Sequence, residues 1–287
     1  MGLFGGNYAR PGKGISKEEA AKRNYFDILG RKFWKILQVN LLYFFVNILF
    51  FGAFAFMILP LFMATDEASV DNLLNSIILP IVRGEMLIPI AYFIPFVFIG
   101  PATCGLTYVV RNYAKQEHAF LFSDFFEHLK KNFKQGLAAS AVLTAVCYLF
   151  ITAFIFYLNQ VAFKPIVIAL GIIFGIILVS ASFYIYPIMV TFDMKFKHII
   201  KNSFIFALAK LPQNTFILLI VGGVNVLLAF YQPLIWMILF VFILIGWSAY
   251  TINYYTWHVI DKYMISQIEK TDDGLEESVF EDDLITK

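Results

Sequence analysis

Four histidines, His118, His128, His198 and His258, are the side chains of this sequence best suited to acid–base or metal chemistry. They follow one another at intervals of 10, 70 and 60 residues. No His-x-x-Glu-His run, no Gly-x-Ser-x-Gly and no paired-cysteine spacing accompanies them. Each lies where an apolar run meets a charged segment, so they read as interfacial or loop residues. Cys104 and Cys147 lie inside apolar runs and read as small packing residues. Gly12-Lys13-Gly14 imitates the end of a phosphate loop. Asn7 stands where that motif requires a glycine, and Gly14 stands where it requires Ser or Thr. The expectation is a chain with no catalytic residue, no metal and no cofactor, and therefore not an enzyme.

The elements that would carry these residues are apolar. Sixty per cent of the residues are hydrophobic (60%) and 15% are charged, with a mean hydropathy of +0.74. Soluble domains run nearer about half and about a quarter. Residues 1–35 hold 8 of the 22 basic side chains and no apolar core, which does not read as a signal peptide, and Gly6 breaks a myristoylation pattern. Ser16-Lys17-Glu18-Glu19 is a capping box and predicts a basic amphipathic helix from Lys17, suited to an anionic leaflet.

Runs without Asp, Glu, Lys or Arg cover residues 36–65, 86–110, 135–163, 165–192 and 211–260. The last has 50 residues, and one such helix would measure about 75 Å against a hydrocarbon core of about 30 Å. Tyr231-Gln232-Pro233 divides it, with Pro233 suited to a first helical position. The fold class expected is an all-α integral membrane protein. Six transmembrane helices are predicted at about 36–62, 86–110, 136–160, 165–192, 213–230 and 233–257. Between the first two, residues 70–81 have the spacing of a short surface helix. A cytoplasmic N-terminal segment (1–35) and an acidic cytoplasmic tail (261–287) flank the membrane domain (36–260).

Lysine and arginine sort by side. The N-terminus, the arms at 111–134 and 193–210, and the tail hold 20 of them, and Arg83 and Lys164 are the other 2. The excess marks the cytoplasmic face, which puts both termini there. A second basic helix is expected to start at the Asp124–Glu127 box. Phe26-Asp27, Leu29, Arg31 and Phe33 match Phe126-Glu127, Leu129, Lys131 and Phe133 at an offset of 100. The match is either a trace of three units, each a basic arm plus a helical hairpin, or coincidence in an aromatic-rich chain.

Polar groups inside the spans are few. Pro101 should free the Val97 carbonyl and kink its helix, and Gly100 and Gly105 should admit a second helix closely. Asn40, Asn225 and Asn253, with Asn47, Thr144, Ser180 and Ser182, suit interhelical hydrogen bonds or contact with a solute. Proton-coupled carriers commonly use an intramembrane carboxylate, and the only candidates, Asp193 and Asp261, sit at the cytoplasmic edge. The arm bearing Arg111, Glu117, Asp124, Lys130 and Lys131 is the conspicuous docking surface. Because the basic arms flank spans directly, lipid headgroups rather than nucleic acid are the expected counterpart.

The stretch Gly100-Pro101-Ala102-Thr103 to Arg111-Asn112, with Glu117-His118-Ala119-Phe120 and Asp124-Phe125-Phe126, resembles the YesL family of bacterial membrane proteins. Met1-Gly2-Leu3-Phe4 and Phe33-Trp34 resemble it too. The resemblance implies a multi-pass protein of the bacterial cytoplasmic membrane, with no catalytic residues to carry over. It also implies an accessory role beside carbohydrate importers of the ATP-binding cassette type, with permease subunits as partners. A carrier or channel for a small neutral solute or lipid is the alternative.

Overall fold

The computed structural model describes residues 24–53, 55, 79, 80, 83, 90, 93–161 and 163–266. The Ser16–Glu19 box, most of the expected surface helix at 70–81, most of residues 54–62 and 86–92, and the tail from 267 lie outside them. Among the described residues every regular element is a helix.

Helix α1 (Tyr25–Val46) does not continue a helix from Lys17. Asn24 is extended, its side chain accepts from the Asp27 backbone, and the Asp27 side chain accepts in return. This reciprocal cap satisfies two first-turn donors and sets the start about three turns before the uncharged run at 36–65. A short helix α2 (Ile94–Val97) precedes α3 (Gly100–Ala114). Pro101 was expected to kink one helix. Phe98 and Ile99 instead form a turn, and Pro101 lies in the first turn of α3, where its missing N–H costs nothing.

Helix α4 (Leu121–Lys131) starts three residues before the expected Asp124. Phe120 is its N-cap, and Asp124 reaches back to accept from the Phe120 backbone N–H at 2.9 Å. There follow α5 (Phe133–Gln160), α6 (Lys164–Thr191), α7 (Phe196–Ala209) and α8 (Leu211–Tyr231). Gln232 leaves the helical region, and α9 (Pro233–Leu239) restarts at Pro233. A π-helical turn (Phe240–Leu244) joins α9 to α10 (Ile245–Ile260), and a second π turn (Asp261–Ile265) ends the described chain.

Among the described residues, four helical stretches, α5, α6, α8 and Pro233–Ile265, are long and apolar enough to cross a membrane. Only 11% to 22% of their apolar windows is buried inside the protein. That much exposed apolar surface requires a lipid solvent. The chain is thus a multi-pass membrane protein by the length and composition of its helices.

Helix α3 is the hub. Of its fifteen positions, all but Thr103 and Tyr108 are buried, and it packs on α1, α4, α5, α6 and α10. The basic helices α4 and α7 fold back chiefly on the helix before them, α3 and α6, more than on the one after. Phe125 of α4 and Ile199 of α7, both fully buried, are the anchors. The structural unit is therefore apolar helix, returning arm, apolar helix. In α1, by contrast, basic and apolar parts form one uninterrupted helix.

Candidate functional site

Small residues let α3 meet its neighbours at backbone distance. A Cβ on Gly100 would overlap the Gly136 carbonyl and Ser140 Oγ of α5, and one on Gly105 would sit 2.5 Å from the Phe125 carbonyl oxygen of α4. Ser140 Oγ donates to the Val97 carbonyl, the one left unpaired by Pro101.

Arg111 is turned inward, against the expectation that it faces a partner. It is only 7% exposed. Its Nη1 donates to the Val190 carbonyl (3.1 Å) and to Thr191 Oγ1 (2.7 Å), and Nη2 donates to Asn112 Oδ1 (3.1 Å). A guanidinium on the Val190 carbonyl in the last turn of α6 also complements the negative end of that helix. Its carbon lies 4.9 Å from the Tyr108 ring centre, and His128 stacks on the same ring at 3.4 Å. His128, read as an interfacial residue, is buried, and its Nδ1 has no hydrogen-bond partner. Burial holds its pKa below the usual histidine value.

The turn after α3 closes by two reversed bonds, Gln116 N–H to the Tyr113 carbonyl and Glu117 N–H to the Asn112 carbonyl. Gln116 takes the left-handed position (φ 62°) that glycine more often fills in this motif. Glu117 pairs with Lys115 at 2.6 Å. The predicted arm residues thus divide. Arg111 and Asp124 hold the arm together, Glu117 pairs locally, and Lys130 and Lys131 face outward.

The outward face of α4 also carries Phe122 (64% exposed) and Phe126 (38%). On the opposite face Phe125 is wholly buried. Lys32 and Lys35 of α1 lie 5.4 and 5.9 Å from the Tyr113 ring centre, so the basic side of α1 leans on the same hub. Burial, with Lys35 beside it, lowers the pKa of Lys32.

The three intramembrane asparagines do not converge. Asn40 Nδ2 donates to the Phe240 and Val241 carbonyls, and Oδ1 accepts from the Gly246 N–H at 2.6 Å. It therefore serves backbone groups freed by the π turn. Asn225 Nδ2 donates to the Val221 carbonyl, and its Oδ1 accepts from Trp236 Nε1 at 3.4 Å. Asn253 alone borders a cavity of about 490 Å³ among α3, α5, α6 and α10. Its wall is mainly apolar, with Tyr43, Thr103, Thr144 and Tyr186 supplying hydroxyls.

Asn214 escaped the sequence reading because it sits near Lys210, at a span edge. It is fully buried, its Oδ1 accepts from the Tyr184 and Tyr255 hydroxyls, and its Nδ2 donates to the Phe206 and Ala207 carbonyls. It ties α6, α7, α8 and α10 together. Asparagine just past a Lys-x-Pro helix start was the available signal. No group of three or more His, Cys, Asp or Glu placed to hold a metal ion occurs among the described residues.

Residues 36–154 match the model of a family described as "Protein of unknown function, DUF624", and the YesL-like resemblance is consistent with it. No curated protein and no solved structure matches the chain.

Proposed function

From the family match and the geometry of α4, we propose a non-catalytic membrane protein that works by docking, as an accessory partner of a carbohydrate importer of the ATP-binding cassette type. The observation that carries the docking reading is α4 itself. It is pinned on one face by Phe125 and His128 and presents Phe122 and Phe126 on the other. Exposed aromatics on a fixed helix suit a protein interface, where such residues are enriched. The choice of importer follows from the resemblance alone.

The reading threads the chain six times across the bacterial cytoplasmic membrane, with both termini inside. Helices α5, α6, α8 and the stretch from Pro233 supply four crossings, and the runs at 36–62 and 86–110 would supply two. The test is affinity purification of the full chain from native membranes, with subunits identified by mass spectrometry. Permease subunits should co-purify and should be depleted in Phe122→Ala/Phe126→Ala. Recovery of the intact chain without any permease subunit would end this reading.

The cavity beside Asn253 favours the second reading, a carrier for a small neutral solute or lipid. Because Asn40 and Asn225 are engaged between helices, that cavity suits an apolar cargo better than a sugar. Uptake into vesicles holding the purified chain, no faster than into empty vesicles, would dismiss it.

A further inference from the structure

The junction of α4 and α5 holds a second pocket, of about 650 Å³, that neither reading uses. Lys130, Lys131 and Lys134 line it from one side, and Asp193, just past the end of α6, is the acidic residue on the other. His128 also lines it, 9% exposed and with a buried Nδ1 that has no hydrogen-bond partner. The first turn of α5, a 28-residue helix, opens at the pocket without a side-chain cap, because the Asn132 amide is turned back to the His128 carbonyl. Phe133, Met189 and Phe192 give it an apolar side.

Each feature favours the same chemistry. Three ammonium groups against one carboxylate leave an excess of positive charge. The start of a long helix adds a positive partial charge and backbone donors. An unpartnered imidazole nitrogen is a donor in the neutral tautomer that carries its proton there. The pocket sits where the apolar length of α5 begins, so a ligand with a charged head and an apolar chain would fit both halves.

We propose that this pocket binds a phosphate group, carried by an anionic lipid of the adjoining leaflet. The lysines are its counter-ions, the first turn of α5 its dipole, and the aromatic side the seat of the first acyl carbons. The site shares no residue with the Phe122–Phe126 face, so the two ideas stand or fall separately.

Native mass spectrometry of the detergent-solubilised full chain tests it, with phosphatidylglycerol or phosphatidylcholine titrated in. The wild type should retain phosphatidylglycerol in preference to phosphatidylcholine. Lys130→Gln/Lys131→Gln/Lys134→Gln should weaken that retention at least about tenfold. The lysines are exposed, and an unchanged unfolding temperature would confirm that the variant is intact. Inorganic phosphate at millimolar concentration separates the sources. No competition assigns the lipid headgroup, whereas competition keeps a phosphate site and overturns its assignment to lipid. Equal retention of the two lipids, or a triple variant that retains phosphatidylglycerol like the wild type, overturns the site.

Discussion

Ser140 on α5 donates its hydroxyl proton to the backbone carbonyl of Val97, four residues before Pro101. Val97 is the last residue of α2, Pro101 beyond the turn has no N–H to offer it, and a serine on α5 supplies the donor instead. The bond ties the start of the hub to the first of the long apolar helices. Ser140→Ala should cost about 1–3 kcal/mol, the usual penalty for a buried acceptor left unmet. Pro101→Ala would return an N–H that can reach the same carbonyl. The cost of Ser140→Ala should therefore shrink in the Pro101→Ala background. Thermal unfolding of the four proteins in one detergent measures the coupling, and strict additivity would refute it.

Two glycines should respond to alanine with opposite signs. At Gly100 the new methyl meets the Gly136 backbone, which cannot move without separating α3 from α5. Gly100→Ala should lower the folded yield sharply. At Gly30, exposed within α1, nothing lies within 4 Å of the added carbon. Gly30→Ala should stabilise by up to about 1 kcal/mol through helix propensity. Fluorescence-detected gel filtration after heating reads both.

The basic residues of the arm should separate into structural and surface classes. Arg111→Ala removes three hydrogen bonds and leaves the Val190 carbonyl near the end of α6 without its guanidinium partner, so a loss of about 3 kcal/mol or more is expected. Lysine at that position should rescue little, because it cannot span the same acceptors. Lys130→Ala and Lys131→Ala should leave the unfolding temperature within about a degree of the wild type, in keeping with the small effect of surface substitutions.

Acid should loosen the α3–α4 corner. The folded pKa of His128 lies below its ordinary value of 6.5, first because the ring is buried. Lys131 and Arg111 depress it further, while Glu127 and Asp124 oppose them. A base that is harder to protonate when folded binds more protons when unfolded. Its stabilising share is complete above about pH 6.5 and is lost as pH falls through the lower folded value. The unfolding temperature should drop between pH 7.5 and pH 5.5, and His128→Phe, which keeps a ring on Tyr108, should flatten that drop. An unchanged drop in the variant would place the acid sensitivity elsewhere.

Asn40→Ala should behave as a loss of structure and not of transport. Three backbone groups around the π turn would lose their partner in an apolar setting. A destabilisation of about 2 kcal/mol or more is expected from thermal unfolding.

Much of the fold was legible in the one-dimensional pattern. Apolar runs without charge must lie in lipid or in a core, and their lengths and punctuating prolines gave the long helices and the restart at Pro233. That inference is robust because it depends on transfer free energy summed over twenty or so residues, which no single contact reverses. The start of α4 differs from the expectation because Asp124 caps from inside the first turn, accepting from the Phe120 N–H, and α1 opens at Asn24, which closes a reciprocal box with Asp27 eight residues after Ser16.

The roles of individual polar residues were decided by tertiary structure. Arg111 reads as a surface cation and Asn40 as suited either to an interhelical hydrogen bond or to a solute; both serve backbone groups on helices far away in sequence, the end of α6 for Arg111 and the π turn before α10 for Asn40. Their partners are carbonyls exposed by a helix end and a π turn, features of backbone geometry that residue identity does not announce. Composition alone settles that this chain must sit in a membrane, because apolar area is additive. Which polar atoms are spent inside the bundle and which are left for a ligand is a matter of pairing, and pairing exists only once the helices have met.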